Sequence, residues 1–175
     1  MTLKDFEYIN HLIKIYSPIC NINKPRPWPN PLTGKPVKQY TFETKNLPEL
    51  TILHSLFFEW SKVKQRFIKI VPSNIKELLS PIGLGHWIMD DGYWSKGTIY
   101  LCTDNFTSKE IDLLIDILYK KFGLVAKKNS QKKNETLIFW RIRFSGKQEN
   151  LNKLRLLVSS YFIPSMLYKI NGNKT

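Results

Sequence analysis

The segment Leu84-Gly85-His86-Trp87-Ile88-Met89-Asp90-Asp91-Gly92 constrains this chain more than any other. Pro81 stands near its start, where a missing N–H costs nothing, and Gly92 stands just past its end, where glycine is favoured. The residues between predict a helix. Leu84, Trp87, Ile88 and Met89 make that helix apolar almost all round, and such a helix is normally buried. Yet it closes on two adjacent carboxylates. Acid at a helix C-terminus opposes the macrodipole, so Asp90 and Asp91 sit where negative charge is mildly unfavourable. A solvated acidic end is the plain reading. The dipole argument favours a site that needs the charge.

The residues that follow have a regular order. Tyr93 to Lys96, a turn at Gly97, and Thr98 to Thr103 predict a hairpin. Thr107-Ser108-Lys109-Glu110 has the spacing of a capping box, and Ile111, Leu114, Ile115, Leu118 and Phe122 form one helical stripe behind it. Gly123 is the expected C-terminal cap. Leu124 to Asn129 and Thr136 to Phe144 predict a second hairpin. In its return strand Ile138, Trp140, Ile142 and Phe144 share one face, and Leu137, Phe139, Arg141 and Arg143 the other. Ser145 to Gln148 resembles another capping box, before a helix bearing Leu151, Leu154, Leu157 and Val158. The order from residue 81 is thus αββαββα. It implies an α+β unit, with a four-stranded antiparallel sheet, helices on one face, and a free face carrying Arg141 and Arg143.

The first half reads as a fainter version of the same unit. Phe6, Ile9, Leu12, Ile13 and Tyr16 predict a helix over 5–16. The proline-dense stretch from Lys24 to Pro31 reads as an extended loop. Val37 to Thr44 alternates like a strand, and Leu47 to Trp60 carries Leu50, Leu53, Phe57 and Trp60 at helical spacing. A basic run, Lys62, Lys64, Arg66 and Lys69, closes in Ile70-Val71-Pro72, and a short helix is expected over 74–79. The expected division is 1–75, a first repeat without its own acidic helix and hairpin; 76–170, a complete repeat; and a polar tail, 171–175.

Charge narrows the partner. Lys and Arg number 27 against 14 Asp and Glu, a net +13. Such an excess points to a polyanion, and no basic amphipathic helix with a bulky apolar face favours a membrane surface. No apolar run reaches ~18 residues, which argues against a transmembrane helix. The opening residues lack the basic and apolar regions of a signal peptide. Two cysteines, Cys20 and Cys102, are a poor basis for a disulfide framework or a zinc site. The three histidines, His11, His54 and His86, have no metal-ligand spacing. Abundant Lys, Asn and Ile beside a lone alanine, Ala126, fit an AT-rich genome such as that of an organelle.

The segment from Leu84 to Gly92 resembles the LAGLIDADG homing endonucleases. The resemblance extends through Leu101 to Thr107, Lys121 to Leu124, and Pro164 to Lys169. It is strong over 81–169 and loose over the first 75 residues. In that family two such helices cross closely, which implies a packing role for the small residue Gly85. Each helix end offers a carboxylate to a divalent metal at the scissile phosphate, which makes Asp91 the implied catalytic ligand and Mg²⁺ the implied cofactor. Lys169 and Lys69 resemble the basic residues near the family's active centre. Charge neutralisation and ordinary phosphate contact both suit them. Lys96, Lys127, Lys128, Arg141 and Arg143 are the expected nucleic-acid contacts. One motif supplies one catalytic carboxylate. The resemblance therefore implies a second protein chain or a large assembly against the motif helix, in an endonuclease of DNA. The other reading is an inactive descendant that binds RNA, in intron splicing or an organelle ribosome, with the mitochondrion the expected compartment.

Overall fold

The computed structural model describes residues 2–3, 5–21, 24–132 and 138–172. Thr136 and Leu137 of the expected return strand, and residues 173–175 of the tail, lie outside them. The chain forms two compact units, 1–51 and 52–175.

In the first unit, α1 (Phe6–Tyr16) begins at Asp5, whose Oδ1 accepts the Tyr8 N–H at 3.0 Å. This satisfies one of the orphan donors of a helix start. Tyr8, Ile9, Leu12 and Ile13 are its buried stripe. Strands β1 (Thr2–Leu3), β2 (Arg26–Trp28) and β3 (Gln39–Thr41) form an antiparallel sheet in the order β1-β3-β2. The proline-dense stretch is therefore not all loop. Pro27 lies in an edge strand, the place in a sheet where a missing N–H is tolerated. The strand expected over 37–44 contracts to three residues, with Thr44 in an isolated bridge to Cys20.

Helix α2 (Pro48–Phe57) is shorter than its spacing predicts. Trp60 belongs instead to β4 (Phe58–Ser61), which pairs antiparallel with β5 (Arg66–Lys69). The basic run thus forms the turn and return strand of a hairpin. A strand continuing a helix can keep its apolar residues in helical phase for one more step, and Trp60 does so. After β5, Glu110 accepts the Val71 N–H at 2.8 Å, which ties the segment beyond Lys69 to a helix of the main domain.

That domain follows the expected order. After α3 (Ile75–Leu78) come α4 (Pro81–Asp91), β6 (Gly92–Ser95), β7 (Thr98–Cys102), α5 (Ser108–Phe122), β8 (Ala126–Lys132), β9 (Ile138–Phe144) and α6 (Gln148–Val158). A short α7 (Tyr168–Asn171) closes the described chain. The sheet runs β6-β7-β9-β8, antiparallel throughout. Lys96 and Gly97 both have positive φ and form a two-residue hairpin turn. The capping box of α5 is present in both directions, and Gly123 is left-handed at its end. The second expected capping box is absent. The N-cap of α6 is Lys147, with no side-chain cap: β9 ends at Phe144, but the helix begins two residues later than the Ser145 spacing requires.

Ile99, Leu101, Ile142 and Phe144 are buried beneath the helices, with Leu84, Ile88, Leu118, Leu154 and Val158 opposite. Each such side chain contributes roughly 1.5–3 kcal/mol on burial. Gly85 faces this same assembly. A Cβ there would lie 3.3 Å from Tyr161 Cβ and 3.7 Å from Val158 Cβ. The close approach that glycine permits here is to α6 and the turn after it, in the same chain. The sequence shows that a backbone must come near, but not whose.

Candidate active site and nucleic-acid interface

Helix α4 passes into β6 with no intervening loop. Ser80 starts the helix, its Oγ accepting the Gly83 N–H at 3.1 Å, and the Gly92 N–H closes it on the Ile88 carbonyl. Asp91 is thereby fixed between a buried helix and a sheet strand. It stays accessible to solvent, yet nearby protein displaces enough water to raise its carboxyl above the ordinary carboxylate range. Lys69 and Lys169 act against that rise, and Asp104 adds to it. Three residues named from the sequence, Asp91, Lys69 and Lys169, thus form one electrostatic cluster. Lys169 also donates its ammonium to the Met89 carbonyl, one of the orphan acceptors at the helix end. That places a cation where the macrodipole favours one.

Strand pairing determines which of the expected basic residues share the open face. Tyr93, Tyr100, Arg143 and Lys127 are in cross-strand register, as are Cys102, Arg141 and Asn129. These positions point away from the helices. Arg143 lies 5.8 Å over the Tyr100 ring, and its buried Nε has no hydrogen-bond partner among the described residues. Tyr93 and Tyr100 stack at 5.3 Å. Lys127 is exposed on this face, and Lys96 is exposed at the hairpin tip.

Two expectations are revised. Lys128 is paired with Ile142, so it lies on the helix-covered side. Its ammonium binds Asp112 at 2.7 Å and Ser108 at 2.9 Å. Adjacent strand residues point to opposite faces, so Lys127 and Lys128 were never both available to one surface. Arg141 is on the open face but already engaged. Its guanidinium bonds both Asp104 oxygens, at 3.3 and 3.4 Å, and the Tyr93 hydroxyl at 3.0 Å. The fork raises the guanidinium's pKa further, chiefly through Asp104. Arg141 therefore holds the turn after β7 beside Asp91. Cys102 lies within the same cluster, its thiol pushed up by burial. Asp104, Tyr93 and Tyr100 are the members that the sequence did not single out. Their signal is the cross-strand register, which is fixed only when the strands pair.

The raised carboxyl has a consequence for stability. A group whose folded pKa exceeds its unfolded one favours the folded state at low pH, and that contribution is lost as pH rises through the folded value. Ionised Asp91 therefore costs stability at neutral pH. Asp91→Asn is expected to raise stability at pH 7 slightly, by no more than about 0.5 kcal/mol given its exposure. The gain should disappear below the ordinary value of 3.8. Urea denaturation at pH 7 and at pH 3 checks this. A loss of stability at pH 7 would show that the lysines outweigh burial.

Known proteins are similar to this chain. The chain is 28% identical over 174 residues to cytochrome b mRNA maturase bI2 of Saccharomyces cerevisiae, covering 94% of this chain and 39% of that protein. It is 26% identical over 179 residues to DNA endonuclease I-ChuI of Chlamydomonas applanata, covering 95% and 79%. With intron-encoded endonuclease ai4 of Dictyostelium discoideum it shares 29% over 136 residues, covering 78% and 79%. The fold superposes on the homing endonuclease I-WcaI bound to its DNA recognition sequence, with a TM-score of 0.80 at 23% identity, covering 97% of this chain and 73% of that one. The model of the LAGLIDADG DNA endonuclease family matches residues 2–152, and with an acidic helix end leading directly into an antiparallel sheet, this chain belongs to that family.

Proposed function

We propose that this chain binds duplex DNA across the open face of the β6-β7-β9-β8 sheet and supplies one half of a metal-dependent, site-specific cleavage centre. The observation that carries the reading is Asp91, a carboxylate kept at an unfavourable position beside Lys69 and Lys169. The similar homing endonuclease I-WcaI is bound to its DNA recognition sequence, which supports the choice of polymer. Among the described residues no three His, Cys, Asp or Glu side chains are grouped to hold a metal. Mg²⁺ is commonly held by one or two carboxylates, with water and substrate phosphates completing the shell. Asp91 fits such a shared site and would be this chain's ligand. A divalent cation held there would supply Lewis-acid stabilisation of the phosphoryl oxygens. Lys69 and Lys169 would neutralise charge developing on the phosphate, and the Arg141–Asp104 pair would keep the turn beside them in place.

The second carboxylate comes, on this reading, from another motif helix lying along α4. Ile82 is 46% exposed, Gly83 and Asp90 are exposed, and His86 and Trp87 are half-buried. Residues four apart share a helix face, so Ile82, His86 and Asp90 form one line, exposed at its two ends and half-buried between them. A second reading, RNA binding in splicing, is favoured by the similarity to mRNA maturases. An organelle is the compartment that suits both.

Fluorescence anisotropy with a mixed-sequence duplex, across a salt series, tests the surface. Log affinity should fall with log salt by about 0.9 per neutralised phosphate, and Lys127→Ala should reduce that slope by about one. A flat salt response would overturn the DNA reading. Tighter binding to a folded RNA than to any duplex would favour the second. Incubation of the chain alone with Mg²⁺ and a duplex library should leave both strands intact. Double-strand breaks by the chain alone would overturn the shared centre.

A further inference from the structure

The β4–β5 hairpin has properties that the sheet face does not explain. Trp60 and Phe67 are directly opposed across the strands, with ring centroids 5.2 Å apart and nearly perpendicular. They remain 48% and 53% exposed. From α2, His54 stacks on Phe58 at 4.6 Å and meets the Phe67 ring edge-on at 4.8 Å. This layer holds the Phe67 ring from behind, while its outer side and that of Trp60 face water. Val63, at the tip, is 94% exposed.

Charge around these rings is one-sided. Residues 58–69 contain Lys62, Lys64, Arg66 and Lys69 against Glu59 alone. Among the described residues no ion pair holds Lys62, Lys64 or Arg66. Arg66 pairs with Ser61, on the strand face opposite the two rings, yet with Lys64 and Phe67 it lines an open cleft of about 280 Å³ that also includes Asp104 and Asn105, beside the Asp91 cluster. Exposed aromatic rings among unpaired cations are the composition that binds unpaired nucleotides. Bases stack on the rings and cations follow the backbone. A duplex has no free base faces to offer, so these rings gain nothing from one.

We propose that the β4–β5 hairpin binds single-stranded nucleic acid, with Trp60 and Phe67 stacking on unpaired bases and Lys64 and Arg66 holding the adjoining phosphates. The inference rests on the nucleic-acid reading above and extends it to a second surface. It gives the chain a place for a strand that is unpaired beside the cleavage centre, or for a loop of RNA.

The experiment measures affinity for oligothymidylate and oligouridylate of about 12 nucleotides, beside a mixed duplex, at one salt concentration. Trp60→Ala with Phe67→Ala should weaken single-strand binding at least about tenfold, with duplex affinity changed less than threefold. Lys64→Glu with Arg66→Glu keeps the rings and should weaken it comparably. Trp60→Phe keeps a ring and should retain most of the affinity, while reducing the tryptophan quenching expected of the wild type on adding oligonucleotide. The two oligonucleotides distinguish DNA from RNA as the source of the strand. Unchanged single-strand affinity in both double variants, with duplex binding intact, overturns this inference and leaves the sheet reading standing. A change in oligomeric state on sedimentation, without loss of single-strand affinity, would make the patch a protein contact and also overturn it. No binding to any nucleic acid by the wild type would overturn both readings.

Discussion

Gly92→Ala is expected to destabilise the protein by about 2–3 kcal/mol. The reason is space, not backbone freedom. Gly92 has φ −87° and ψ 154°, an extended conformation open to any residue. A Cβ built there, however, would lie 2.5 Å from the Ile88 carbonyl oxygen, 2.7 Å from Ile88 Cγ2 and 2.9 Å from Ile88 Cα. Two of the three are backbone atoms of a buried helix turn, which cannot rotate away. The same carbonyl accepts the Gly92 N–H, so the clash falls on the bond that ends α4. Relief must come from displacing β6, and Asp91 moves with it. Gly97→Ala is the control. Gly97 sits at φ +73° with nothing within 4 Å of its Cβ position. Its cost is conformational alone, about 1–2 kcal/mol, and leaves Asp91 in place. Urea denaturation measures both. A Gly92→Ala protein within 0.5 kcal/mol of wild type would mean that α4 and β6 meet less tightly than these distances require.

The parts of this arrangement that were legible are those encoded within a few residues. Thr107 and Glu110 announce the start of α5 because both partners of the capping box are present in one turn of sequence. Pro81 and Gly92 bracket α4 for the same kind of reason, and Lys96-Gly97 marks the tight turn. Local signals fail where two continuations share a phase. Trp60 follows Phe57 at helical spacing and also begins an alternation with Phe58, and only pairing with Phe67 decides for the strand. The site was half legible on similar grounds. Asp91 stands out because acid at a helix C-terminus is unfavourable there. Asp104 does not stand out, because its significance is the guanidinium brought to it from β9, thirty-seven residues away. Lys127 and Lys128 differ by one residue and therefore by a whole face. Which of them joins Arg143 depends on the β8–β9 register, and the basic run of β8 has no apolar alternation to reveal it. Gly85 follows the same rule at the level of helices: a small residue marks a near neighbour without identifying it.

Asn150→Leu should cost about 2–4 kcal/mol, although the two side chains are similar in size and the site is buried. Asn150 lies in the first turn of α6 and reaches back to the sheet. Its Oδ1 accepts the Val125 N–H at 2.7 Å, and its Nδ2 donates to the Val125 carbonyl at 3.2 Å and the Ser145 carbonyl at 3.1 Å. One amide thus joins the residue before β8, the residue after β9 and the helix that follows. Leucine would leave the Val125 N–H and the Ser145 carbonyl without these partners, whereas the Val125 carbonyl keeps the Ser145 N–H at 2.8 Å. A stranded buried group costs about 1–3 kcal/mol and these part-buried ones toward the lower end, and the added apolar contact offsets only part of the sum. Asn150→Asp separates hydrogen bonding from packing. It retains the acceptor for Val125 but sets a carboxylate against two carbonyl oxygens, which raises its folded pKa. A raised folded pKa gives stability at low pH that is lost as pH rises through that value. The aspartate variant should therefore be less stable at pH 7.5 than at pH 5 relative to wild type, whereas the leucine variant should show the same deficit at both. Urea denaturation at the two values distinguishes them. Equal deficits for the aspartate variant at both pH values would mean that water reaches Asn150, and that its three bonds do not hold the ends of β8 and β9 to α6.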